Sequence, residues 1–293
     1  MTRILITGAT GNIGREVIHY LNQSDGQHEV IAAVRNLEKA KQSFSDYPQL
    51  DCRYFDFDDQ RSFADAFSAV DQLFLLRPPH ISEVEQYFGP LLRAAMDKGI
   101  KRIVFLSVQG AERSKVIPHN QIEELIKKHG FSYIFLRPSY FMQNLTTTLL
   151  PEIREKRSIT LPSGKALFNW IDARNIGEAA AVVINSFERY QDQALELTGS
   201  ENKSFGEAAQ IMSEILDYEI SYRSINPVRF YFRKRREGLV KGMAVVMTIL
   251  HFLPRLQKPP QISDNYTRLT GKQPTGLAEF IRREQHLFNR ESE

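Results

Sequence analysis

The sequence contains a single cysteine, Cys52, among its 293 residues. One thiol excludes an intramolecular disulfide and a cysteine-based zinc cluster, so no metal site is expected and a reducing compartment fits. Long apolar runs are missing as well. No stretch approaches the roughly 20 residues needed to cross a bilayer. Charge of one sign is also scarce: the formal net charge is +3, with acids and bases mixed, so no global field argues for direct contact with nucleic acid. There is no internal repeat and no low-complexity tract. The N-terminus runs straight into an apolar segment and leaves no room for a signal peptide, so a cytoplasmic protein is expected. With 42% apolar residues, the chain is long enough to bury a sizeable core.

What is present begins at once. Residues 3–7 (RILIT) are a short β-branched run, and Gly8, Gly11 and Gly14 follow in G-x-x-G-x-x-G spacing. Residues 15–21 then continue with helical periodicity. A strand, a glycine turn and a helix start in that order present backbone N–H groups and a helix dipole to a pyrophosphate. Gly8 permits the tight turn, Gly11 lets phosphates approach the backbone, and Gly14 lets the helix pack closely. Thr10, Asn12 and Ile13 complete the expected pyrophosphate site.

Residues 28–35 read as a second buried parallel strand. An acidic residue at its end would accept hydrogen bonds from a ribose 2′-OH. This chain has Arg35 there, with Lys39 four residues on. A guanidinium holds phosphate oxygens bidentately, so the pattern points to NADP rather than NAD. A third strand, 52–55, runs into Asp56 and Phe57. Asp56 either meets the adenine amino group, with Phe57 covering the base, or caps the helix expected over 61–69. Residues 70–76 and 101–107 are the fourth and fifth strands, so Leu76, Arg77 and Ser107 fall on the carboxyl edge where the nicotinamide half would lie. This strand–helix alternation specifies an α/β doubly wound parallel sheet of the Rossmann type.

The runs ITGATGNIG, VRN, FLSVQGAE, HNQIEEL, FLRPSYFMQNL and RLTGKQPTGLAEFI together resemble the NmrA-like family. These are atypical short-chain dehydrogenase/reductase relatives that include NAD(P)H:quinone oxidoreductases of the second type and redox-sensing regulators. The resemblance spans residues 2–288 and is weakest over 227–261. Typical short-chain dehydrogenases pair a serine after strand five with a Tyr-x-x-x-Lys helix. Here Ser107 holds the serine-like position, while His119 and Glu123 stand where tyrosine and lysine would. Positions i and i+4 share a helix face, so Glu123 is expected beside His119, either as a structural pair at the helix start or raising the imidazole pKa and making His119 a proton donor. Alcohol–ketone interconversion by a tyrosine–lysine dyad is not supported.

Residues 131–138 read as a sixth strand, followed by a segment that resembles the family's pocket. Tyr140, Phe141, Asn144 and Trp170 are candidate lining for a planar small-molecule substrate. Residues 1–150 are expected to form the nucleotide-binding domain, with a further sheet segment around 168–198. Residues 151–293 are expected mainly as a small C-terminal α/β lobe closing over the crevice. Ser204 with Glu207 reads as a capping box. From 229 to 253 a basic cluster runs into a nearly all-apolar segment. Three readings stay open: a lobe helix with a solvated basic run, peripheral membrane contact, or an oligomer contact in a protein otherwise monomeric or homodimeric. The sequence thus points to an NADPH-dependent oxidoreductase acting on a quinone or similar electrophilic carbonyl compound. The alternative is a non-catalytic NADP(H) redox sensor acting through a protein partner.

Overall fold

The computed structural model describes residues 1–24, 26 and 28–289, and the statements below concern those residues. They divide into two compact units. The first comprises Met1–Pro138, Ala173–Leu197 and Asn265–Gly271, and the second comprises Ser139–Asp172, Thr198–Asp264 and Lys272–Glu293.

The first unit opens with β1 (Thr2–Ile6), α1 (Asn12–Gln23), β2 (His28–Val34), α2 (Leu37–Ser43), β3 (Asp51–Tyr54) and α3 (Ser62–Ala66). It continues through β4 (Gln72–Leu76), α4 (Val84–Asp97), β5 (Arg102–Leu106), α5 (Pro118–Lys128) and β6 (Ser132–Pro138). In the second unit come β7 (Tyr140–Phe141), α6 (Leu150–Lys156), β8 (Ser158–Leu161) and β9 (Leu167–Ile171). The chain returns to the first with α7 (Ala173–Asn185), α8 (Phe187–Tyr190) and β10 (Gln193–Leu197). The second unit then adds β11 (Asn202–Ser204), α9 (Phe205–Leu216), β12 (Ser221–Ser224), α10 (Pro227–Arg236) and α11 (Lys241–Phe252). Finally α12 (Asn265–Thr270) joins the first unit and α13 (Leu277–Phe288) the second.

Seven strands of the first unit form one all-parallel sheet in the order β10-β6-β5-β4-β1-β2-β3. Ile4, Leu5 and Ile6 of β1 are all buried, as a strand covered on both faces requires. Alternation of side chains sorts these residues between two layers. Leu5, Leu73, Phe105 and Phe135 pack with Phe63, Phe67, Phe88 and Ile122, which α3, α4, α5 and their flanks supply. The other layer holds α1 and α7, whose Val17, Ile18, Leu21, Ile176 and Val183 are buried. This is the doubly wound architecture expected from the sequence.

The second unit has its own core. Its strands form a three-stranded sheet, β11-β9-β7, and a β12–β8 pair. Trp170, Phe168 and Phe205 pack with Leu161, Met212, Phe280 and Ile281. The capping box is present: Ser204 Oγ accepts from Glu207 N–H at 3.2 Å, and Glu207 Oε2 accepts from Ser204 N–H at 2.7 Å. It satisfies two otherwise unpaired donors at the start of α9. The basic and apolar stretch beyond it forms two helices, α10 and α11, and no described helix is long and apolar enough to cross a membrane.

Candidate functional site

The strand order reverses at the β1–β4 seam, and in an open parallel sheet the ligand crevice lies at the carboxyl ends of such a seam. Thr7 locks the seam. Its hydroxyl donates to Phe74 O at 3.1 Å and accepts from Leu76 N–H at 2.8 Å. The chain then turns through Gly8, whose φ of +61° is a left-handed conformation that favours glycine. A Cβ built on Gly14 would lie 2.3 Å from Gly8 O, so only glycine lets α1 start this close to the turn. α1 begins at Asn12 with no side-chain cap and no acid in its first turn. Its first N–H groups therefore stay open to an outside acceptor. Gly8, Thr10, Gly11 and Asn12 are exposed, whereas the Ile13 side chain is buried and offers only its backbone. Leu76 stands against the turn, 3.3 Å from where a Gly8 Cβ would be.

Arg35 and Lys39 sit one after the other beyond β2, both exposed. Among the described residues neither side chain has a carboxylate partner. Asn36, between them, caps α2 by accepting from Lys39 N–H at 2.9 Å. The cap fixes the loop and leaves both cations free. An uncapped anion-binding turn with two unneutralised cations at the neighbouring strand end fits a nucleotide carrying an extra phosphate.

At the end of β3, the structure rules out the helix cap for Asp56 and the base-covering role for Phe57. Asp56 Oδ1 accepts from Asp58 N–H at 3.1 Å, a turn within its own loop rather than a cap on α3. Phe57 is only 8% exposed and packs edge-on against Phe55 at 5.0 Å, so its ring belongs to the core and does not cover a base.

The expected His119–Glu123 pair does not form. Glu123 is fully buried, and its carboxylate accepts from Ser107 Oγ at 2.6 Å and from Arg137 Nε and Nη2 at 2.9 and 2.6 Å. Arg137 reaches on to Glu112 at 2.8 Å. Ser107, 2% exposed, thus turns its hydroxyl inward, away from any nicotinamide role. His119 lies against the Phe105 ring, and Arg77 Nε approaches its Nε2 at 3.4 Å. Burial, and then the Arg77 charge, push its pKa down to about 3, opposite to the expected direction. At neutral pH His119 is an uncharged imidazole and no ready proton donor. Arg77 is itself engaged, its Nη1 donating to the carbonyls of Pro78 and Pro79 at 3.1 and 3.3 Å and to that of Ile81. It secures the loop after β4.

In the second unit the structure brings Tyr140 and Trp170 together, with ring centroids 5.0 Å apart, Trp170 in the core and Tyr140 half-buried against it. Trp170 is 1% exposed and donates its indole N–H to Lys203 O at 3.0 Å, so it does not line an open slot. Tyr140 Oη lies 2.9 Å from His251 Nε2. His251 Nδ1 is 2.8 Å from Met247 O, which can only accept, so Nε2 is the acceptor of the tyrosine proton. Burial raises the Tyr140 pKa, while a hydrogen bond from Asn144 opposes that rise. Burial also lowers His251 to about 4. Both groups are neutral. Phe141 and Asn144 remain half-exposed.

The sequence model of the NmrA-like family matches residues 1–254. The chain belongs to the NmrA-like family. It is 26% identical over 279 residues to prestalk A differentiation protein A of Dictyostelium discoideum, covering 95% of this chain and 91% of that one. An NAD(P)H azoreductase of Xenophilus azovorans is 27% identical over 291 residues, covering 97% and 99%. The fold also matches an NADPH-dependent quinone oxidoreductase of Escherichia coli solved with NADPH, at a TM-score of 0.82 and 23% identity, over 98% and 100% of the two chains.

Two groups in this NmrA-like chain escaped the sequence reading. Arg137, the residue before Pro138 at the end of the sixth strand, neutralises Glu123. His251 looked like part of an apolar helix, yet it holds the Tyr140 hydroxyl. An arginine closing an otherwise apolar strand was the available signal for the first. Nothing local marked the second.

Proposed function

We propose that this NmrA-like protein is an NADPH-dependent oxidoreductase that reduces a quinone or another small, planar, electron-poor acceptor. The observation that carries the reading is the unneutralised Arg35–Lys39 pair beside an uncapped glycine turn. Backbone N–H groups from Gly8 to Ile13 hold the pyrophosphate, and Arg35 and Lys39 hold the 2′-phosphate. Asp56, whose Oδ2 has no partner among the described residues, meets the adenine amino group. Leu76 walls the crevice. Bound NADPH supplies the hydride.

The acceptor class follows from what the chain withholds. Glu123 occupies the place of the usual lysine and is locked by Arg137, and His119 is neutral. A ketone needs a strong acid to protonate the developing alkoxide, whereas a reduced quinone is a weak base that water can protonate. The azoreductase and quinone oxidoreductase among the relatives agree with such an acceptor. The test is to mix the protein with NADPH and a panel of benzoquinones, naphthoquinones and azo dyes while following the reduced nicotinamide absorbance. Oxidation that depends on the added acceptor is expected. Tight binding of NADPH with no oxidation by any acceptor would overturn the reading in favour of a sensor.

A further inference from the structure

Of the fifteen large apolar side chains left exposed among the described residues, ten lie between Val228 and Ile262. The concentration centres on α11. Ala244, Met247 and His251 recur at helical spacing and are buried in the second unit. The opposite face carries Val245, Val246, Ile249 and Leu250, exposed by 38 to 53%, and Leu253 and Leu256 extend the stripe. A helix apolar all round is normally covered all round. Here the described residues cover one face only.

The charge around the stripe says what covers the other. Residues 229–262 contain eight basic residues and one acid, Glu237, although the whole chain is only +3, so the remainder is net negative. Glu237 is held by Arg233 and Lys234 at 2.8 and 2.7 Å. Arg235, Arg236 and Lys241 before the stripe, and Arg255 and Lys258 after it, have no carboxylate partner among the described residues and are exposed. A cavity of about 370 Å³ opens beside Pro254, with Lys165 and Arg255 in its wall.

We propose that the outer face of α11 docks on an anionic phospholipid bilayer. The helix lies in the plane of the interface, its aliphatic stripe enters the headgroup–acyl boundary, and the flanking cations meet lipid phosphates. A second copy is the poorer occupant, because a two-fold contact through this face would set the same unpaired cations against each other. The inference rests on the second unit alone and stands apart from the proposed reaction.

Flotation of the full chain with vesicles tests it. The protein is expected to float with vesicles of equal parts phosphatidylcholine and phosphatidylserine, to release as salt is raised, and to stay behind with phosphatidylcholine alone. Ile249→Glu and Leu253→Glu should each abolish flotation while leaving the circular dichroism spectrum and NADPH affinity unchanged. Lys241→Glu and Arg255→Glu should each weaken partitioning by about fivefold or more. Met96→Glu, an exposed apolar residue far along the sequence, should have no effect. Failure to float with the anionic vesicles, or equal flotation with the neutral ones, overturns the proposal. So does a wild-type dimer in solution that Ile249→Glu converts to monomer, which would make a second copy the occupant.

Discussion

Arg35 projects from the end of β2 without an ion partner, and the choice between two nicotinamide carriers turns on that single charge. Arg35→Ala should weaken NADPH binding by about tenfold or more in a fluorescence titration and leave NADH affinity unchanged. Lys39→Ala should act in the same direction with a smaller effect. His119 makes the opposite kind of prediction. A neutral imidazole is not the proton donor, so His119→Asn should keep kcat for a quinone within about threefold, whereas loss of a true general acid costs about a hundredfold or more. The two residues also differ in how readable they were. The position of Arg35 was legible because it depends only on following the second strand after a recognisable turn. His119 was misread because its spacing from Glu123 is local, while the partner that claims Glu123, Arg137, arrives from a strand fourteen positions on.

The Glu123–Arg137–Ser107 cluster ties α5 to β6 and to the residue just past β5. Removing one partner of a buried ion pair leaves the other charge uncompensated, so Glu123→Gln should cost about 3–5 kcal/mol in urea unfolding. Ser204→Ala removes the capping box at α9 and should cost about 1 kcal/mol. Elements with local signals were legible for the same reason that this cap was. α9 starts at its box. Aromatic residues were the harder case. Nothing in the sequence distinguishes a ring that lines a pocket from one that fills a core, and Phe57 and Trp170 both proved to be core.

At the scale of the whole molecule, acid should be the main enemy of stability. His119 and His251 have folded-state pKa values of about 3 and about 4, each lowered chiefly by burial. Both lie below the ordinary histidine value near 6.5, so the unfolded chain takes up these protons first. The folded state is therefore favoured fully above about pH 7 and loses ground as pH falls from about 6.5 towards 4, by on the order of 1–3 kcal/mol. Urea unfolding across that range should show the loss, and His119→Asn should flatten part of it. Around the carboxyl edge of the parallel sheet, the glycine turn and the free Arg35 and Lys39 make one demand, a nucleotide that carries an extra phosphate. Parallel titration of the wild-type protein with NADPH and NADH tests that demand most directly. NADPH should bind at least about tenfold more tightly; equal affinity for NADH, or no binding of either, would contradict the assignment of Arg35 and Lys39 to the 2′-phosphate.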